Sequence, residues 1–163
     1  MLTAQEALVR LQEGNQRFVE GKSTRNTNYT QRRNELVDGQ TPFAIILGCS
    51  DSRVPTEIIF DQGLGDLFVI RIAGNIVAPS QIGSIEFAVE TFQTPLVVVL
   101  GHTGCGAVAA TLNQIRQPQA SRSQHLRSIV ERIRPAVEPL SEIRTDLAHE
   151  HLLEQAILSL IHI

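Results

Sequence analysis

The chain reads as an α/β protein with a mainly parallel central sheet flanked by helices and an N-terminal helical arm. Three observations predict this. Two short apolar runs, Phe43-Ala44-Ile45-Ile46-Leu47-Gly48 and Leu96-Val97-Val98-Val99-Leu100-Gly101, are continuous rather than alternating, the mark of strands buried on both faces. Each ends in glycine and then delivers reactive side chains: Cys49-Ser50-Asp51-Ser52-Arg53 after the first, His102-Thr103-Gly104-Cys105-Gly106 after the second. A third run, Leu67-Phe68-Val69-Ile70-Arg71-Ile72, lies between them, and helical patterns separate and follow the strands.

From the N-terminus, Thr3-Ala4-Gln5-Glu6 forms a capping box, with Thr3 as N-cap and Glu6 reaching back to its amide. Ala4, Leu8, Leu11 and Phe18 recur at roughly helical spacing, and Gly21 supplies a stop. Lys22 to Gln31 is polar, rich in Asn and Thr, and reads as a loop or arm. The helix ahead of it either packs on a partner subunit or folds back on its own chain. Residues 1–40 are thus expected to form the helix and arm, and 41–163 the core and C-terminal helices, of a single domain spanning 1–163.

Past the first strand, Pro55 suits a first helical turn, so Thr56 to Phe60 is expected as a short helix. Gln62-Gly63-Leu64-Gly65-Asp66 is a turn; no Gly-Lys-Ser/Thr element follows to make it a phosphate loop. Ala73-Gly74-Asn75 closes the next strand. Ser84 to Phe92 reads as a helix with Ile85, Ala88, Val89 and Phe92 on one face. Three further helices are expected, Ala107 to Ile115, Gln124 to Arg134 and Leu147 to about Leu160, with Pro135 and Pro139 interrupting between the last two. Leu153, Ile157, Leu160 and Ile161 give the final segment an apolar covering face.

Composition narrows the function classes. At 163 residues, with 42% hydrophobic and 19% charged content, the chain suits one compact domain. A net charge of -3 without any Lys/Arg run argues against nucleic acid as a partner. No apolar stretch approaches the ~20 residues that span a bilayer, so no membrane partner is expected. Gln5, Glu6 and Glu13 in the amphipathic N-terminus fit neither a signal nor a transit peptide. Two cysteines beside a histidine point to metal binding or reactive thiols, and the expected compartment is cytoplasmic.

Cys49, His102 and Cys105 supply two thiolates and an imidazole, a soft set that suits zinc. Three ligands rather than four leave one position open, as in catalytic sites. His102 and Cys105 share one tight turn, where Gly104 and Gly106 ease wrapping around a metal. Zinc with two thiolates is formally neutral and acidifies water less than a three-histidine site, so neighbouring groups must assist. Asp51 is two residues from a ligand, and Arg53 can grip its carboxylate and keep it ionised. The competing reading makes both cysteines small core hydrophobes, His102 a surface residue and Asp51–Arg53 an ordinary turn salt bridge. His125, His149, His151 and His162 read as solvated.

These motifs resemble a known family. Cys49-Ser50-Asp51-Ser52-Arg53-Val54-Pro55 is similar to the first signature of the β-class carbonic anhydrases. Glu86-Phe87-Ala88-Val89, the following strand and Gly101-His102-Thr103-Gly104-Cys105-Gly106 are similar to the second. The resemblance implies a zinc enzyme that hydrates carbon dioxide to bicarbonate and a proton. It implies Cys49, His102 and Cys105 as zinc ligands and Asp51 with Arg53 as a catalytic dyad. Gln62 resembles the family's substrate-binding glutamine, and Phe87 stands in the cleft wall where many members have tyrosine. The family's cleft lies at a dimer interface embraced by the N-terminal helix, so a homodimer or higher assembly is expected. Members usually continue into a further edge strand and helix, which this chain is expected to lack. The alternatives are a zinc-bearing scaffold without catalysis and a hydrolase of a related substrate such as carbon disulfide.

Overall fold

The computed structural model describes residues 2–24, 28–117 and 123–143. In chain order the elements are α1 (Ala4–Val19), α2 (Tyr29–Glu35), β1 (Ala44–Gly48), α3 (Thr56–Ile59), β2 (Leu67–Arg71), a 3-10 turn (Ala73–Asn75), α4 (Pro79–Phe92), β3 (Val97–Leu100), α5 (Gly106–Arg116) and α6 (Gln124–Ile143). The helix expected over 147–160, with its apolar covering face, lies outside the described residues, as do His149, His151 and His162. The chain divides into two compact units. The first takes the described residues of Met1–Leu47, Ser52–Ile70 and Ala78–Val98; the second those of Gly48–Asp51, Arg71–Val77 and Val99–Ile163.

The strands form one sheet in the order β2-β1-β3. Phe43 N donates to Asp66 O at one end of the β1–β2 pair and Ile72 N to Gly48 O at the other, so partner numbers rise together and the pair is parallel. All five residues of β1 are buried, as a continuous apolar run in a central strand requires. β3 departs from the expectation of burial on both faces: Val97 is 42% exposed and the rest are half-buried. Among the described residues it has a strand neighbour on one side only.

In the first unit, Thr3 and Glu6 form the expected capping box, with the Thr3 hydroxyl accepting from Glu6 N and the Glu6 carboxylate accepting from Thr3 N at 2.7 Å. The buried stripe of α1 is Ala7, Leu11 and Gly14, whereas Ala4 and Phe18 are exposed. α1 packs on α3 of its own chain. Asn15 Nδ2 donates to Ile59 O at 2.9 Å, and Arg17 pairs with the fully buried Asp61 carboxylate at 2.6 Å. Ser23 Oγ and Thr24 N also donate to Asp61, so the first residues after α1 strap one carboxylate.

α2 falls where a loop was expected to run on to Gln31. It buries no residue, so no apolar period announced it; its signal is the Asn28 cap, whose side chain accepts from Gln31 N. α4 begins at Pro79, five residues earlier than Ser84, because proline at the first helical position costs no hydrogen bond. Of its expected apolar face only Ala88 is fully buried. The Phe68, Phe87 and Phe92 rings cluster with centroids 5.8–6.3 Å apart.

In the second unit, α6 runs unbroken through Pro135 and Pro139, which corrects the expected interruption. Each proline removes one helical hydrogen bond and costs about 3 kcal/mol in an isolated helix. The two lie four residues apart on the exposed face, where water can bond the freed carbonyls. The opposite face buries Ile133 and Val137 completely against Val108, Leu112 and Ile76, and that packing holds the helix.

Two outcomes test this account. Gly14→Ala improves helix propensity, yet its Cβ would sit 1.9 Å from Phe60 O. We expect a loss of about 2 kcal/mol or more in urea unfolding, opposite in sign to the propensity effect. The Thr3 amide, then the Thr3 hydroxyl, hold the Glu6 carboxyl below its ordinary value of 4.5. A depressed carboxyl stabilises the fold above that value and loses its contribution as pH falls through it. The melting-temperature gap between the parent and Glu6→Gln should therefore be widest near pH 7 and close below about pH 4.

Candidate metal centre

The loop after β1 and the turn after β3 meet in the second unit. The ligand atoms of Cys49, His102 and Cys105 all lie within 4.8 Å of one another. Tetrahedral zinc spaces such atoms by about 3.5–3.8 Å, so the cluster is within roughly an ångström of a coordination shell. Both cysteines are free and buried, and the His102 side chain is only 8% exposed. Gly104 has φ +65°, the left-handed turn that brings His102 and Cys105 round to one side. Gly106 carries no such demand: it opens α5, and a Cβ there would meet open space.

His102 Nδ1 lies 2.9 Å from Thr103 O. A carbonyl can only accept, so Nδ1 carries the proton and Nε2 keeps its lone pair. Nε2 is buried, without a hydrogen-bond partner among the described residues, 3.9 Å from Asp51 Oδ2. A buried, unpaired acceptor beside two thiols is costly unless a cation takes its lone pair. The donor set therefore fits a soft divalent metal.

Protein groups temper the sulfurs. Gly74 N donates to Cys49 Sγ at 3.3 Å. Burial pushes the Cys105 thiol up and the neighbouring Cys49 adds to the rise, while the amides of Val108 and Ala107 at the start of α5 oppose it. Asp51 is 19% exposed, so the carboxylate stands at the wet edge of a dry cluster.

The other expected site residues belong to the first unit. Gln62 is buried there, its Oε1 accepting from Arg10 Nε at 3.0 Å and its Nε2 donating to Phe60 O at 2.7 Å. Phe87 is 53% exposed beside Phe68 and Phe92. Arg53 is exposed. Two residues at this centre were read from sequence only as strand end and turn. Arg71 donates to Cys49 O and Asp51 O, and Gly74 bonds the Cys49 sulfur. The available signal was an arginine in an otherwise apolar strand.

A parallel α/β sheet whose strand ends gather two cysteines and a histidine defines a metal-binding α/β protein. The sequence profile of the carbonic anhydrase family matches residues 44–161, and the chain belongs to that family, in its β class. Carbonic anhydrase 2 of Mycobacterium tuberculosis is 49% identical over 127 residues, covering 78% of this chain and 61% of that protein. The structure of the β-carbonic anhydrase CcaA superposes with TM-score 0.71 at 28% identity, covering 95% of this chain and 76% of that one. One of two tetrameric β-carbonic anhydrases from Sordaria macrospora superposes with TM-score 0.67 at 27% identity, covering 80% and 69%. The chain spans about three fifths of the length of the curated relatives it matches first.

Elemental analysis checks the cluster directly. We expect one metal ion per parent chain and loss of stoichiometric metal in both Cys49→Ser and Cys105→Ser; full retention in either variant would overturn the ligand set.

Proposed function

We propose that this chain carries the zinc centre of a β-carbonic anhydrase and hydrates carbon dioxide reversibly to bicarbonate and a proton. The observation that carries the reading is the Cys49–His102–Cys105 cluster, with His102 Nε2, unpaired among the described residues, facing a partly buried Asp51. Bound by these three residues, zinc would supply Lewis acidity that favours ionisation of water, more weakly than a three-histidine site does because two thiolates neutralise its charge.

The chain's own groups do the rest. Asp51 orients the attacking water and accepts its proton as the oxygen bonds to carbon and one C=O electron pair moves onto oxygen. Partial exposure lets Asp51 return that proton to solvent. Arg53 is assigned to a dyad with Asp51 on its resemblance to the first family motif. The Gly74 amide bears on the Cys49 sulfur, and the apolar packing behind both cysteines keeps water off the ligand side. Gln62 and Phe87 are assigned to substrate on their resemblance to the family motifs.

The reading includes a cytoplasmic setting, supported by two free cysteines. Among the described residues, no helix is long and apolar enough to cross a membrane. It also includes self-association, supported by the exposed Phe87, Val89 and Val97 and by the tetrameric Sordaria macrospora proteins.

Stopped-flow hydration of carbon dioxide, with zinc content measured on the same sample, tests the reading. The zinc-loaded chain should turn over well above buffer. Asp51→Asn should lower kcat by about 100-fold or more with zinc retained. A loaded chain no faster than buffer would refute it.

A further inference from the structure

The loop that carries Cys49 and Asp51 is fastened to the segment that follows it in the sheet. Ile72 N donates to Gly48 O at 3.0 Å, and Ser50 N returns a bond to Ile72 O at 3.2 Å. There the β1–β2 ladder ends, because the chain turns out of the sheet at Cys49. Beyond that point the carbonyls of Cys49 and Asp51 would face no strand. Arg71, the last residue of β2, takes both: Nε donates to Cys49 O at 2.9 Å and Nη2 to Asp51 O at 2.5 Å.

One planar guanidinium thus spans two residues of backbone, with Ser50 between them. Its fork geometry fixes the separation of those carbonyls, which a single ammonium cannot do. From the same segment Gly74 N donates to the Cys49 sulfur at 3.3 Å. Gly74 is itself locked, since its φ of +68° suits glycine and an added Cβ would lie 2.7 Å from Ile133 Cδ1. The Cys49 end of the loop therefore has ladder bonds, a thiol contact and Arg71. At the Asp51 end, Arg71 is the holder that comes from β2.

We propose that Arg71 is a positioning residue, a two-point clamp that fixes Asp51 relative to Cys49 and thereby sets the carboxylate against the metal site. The proposal rests on the metal reading above. Its consequence is asymmetric. Removing the clamp should disturb Asp51 more than Cys49, so catalysis should fall further than metal affinity.

The test compares parent, Arg71→Met and Arg71→Lys. Three readouts are used: zinc retention against a chelator, visible absorption of the cobalt(II)-substituted protein, and kcat with its pH profile. Urea unfolding confirms that each variant is folded; Arg71 is exposed, so its loss opens no core. Arg71→Met should weaken zinc retention by about tenfold, shift the cobalt spectrum, and lower kcat by a larger factor. Arg71→Lys should fall between parent and Met, and millimolar guanidinium should restore part of the Met variant's turnover. Parent-like cobalt spectrum and kcat in a folded Met variant would overturn the clamp, and the same result in the Lys variant would do so if Met fails to fold. A parent that binds neither zinc nor cobalt would overturn the metal reading and the clamp together, so the two failures are distinct.

Discussion

Burial of β1 on both faces, between two strand neighbours, is the constraint on which the site depends. All five of its residues are inside, so its register has no freedom: side chains alternate between faces, and a slip of one residue would reverse every one of them. That register continues past the strand through the Gly48–Ile72 and Ser50–Ile72 bonds. The facing of Cys49 is thus decided by the ladder beside it. His102 and Cys105 follow directly from the end of β3, with the left-handed Gly104 completing the turn. No ligand depends on a long loop finding its own conformation.

The central strand, the capping box and all three candidate ligands were legible because each is a local pattern. Gly48 after a buried run, Thr3 three residues before Glu6, and His102 three before Cys105 can all be read within a few positions. What escaped has the opposite character. α2 buries nothing, so it has no apolar period to display. α6 crosses two prolines because Ile133 and Val137 pack on residues some 25 positions earlier, a gain invisible in its own sequence. Arg71 acts on carbonyls 20 and 22 residues away, and backbone carbonyls carry no residue-type signal. Tertiary packing and side chain–backbone bonds are the two kinds of information that local patterns omit.

The same distinction separates what the fold tolerates from what it leaves unresolved at the metal centre. Cys49 and Cys105 sit with Ile76, Val108, Leu112, Ile133 and Val137 in one apolar cluster. As neutral thiols they behave as small hydrophobes there, so this core can close without a cation. Burial, which pushes Cys105 up, favours that neutral form. The imidazole is different: its Nδ1 is committed to Thr103 O, and nothing among the described residues satisfies Nε2. The unmet bonding capacity of the cluster therefore falls on one nitrogen, and a metal taken up there would displace thiol protons.

That division also explains the position of Asp51. A carboxylate inside the apolar cluster would be neutralised by desolvation and could not accept a proton. At 19% exposure and 3.9 Å from His102 Nε2, it is near enough to act on a molecule held at the cluster and wet enough to exchange with solvent. A set that holds a soft cation is best kept dry, and a group that is to exchange protons with solvent is best kept wet. Two residues of chain, Ser50 and Asp51, cross from one environment to the other, and their conformation is what the β2 end restrains.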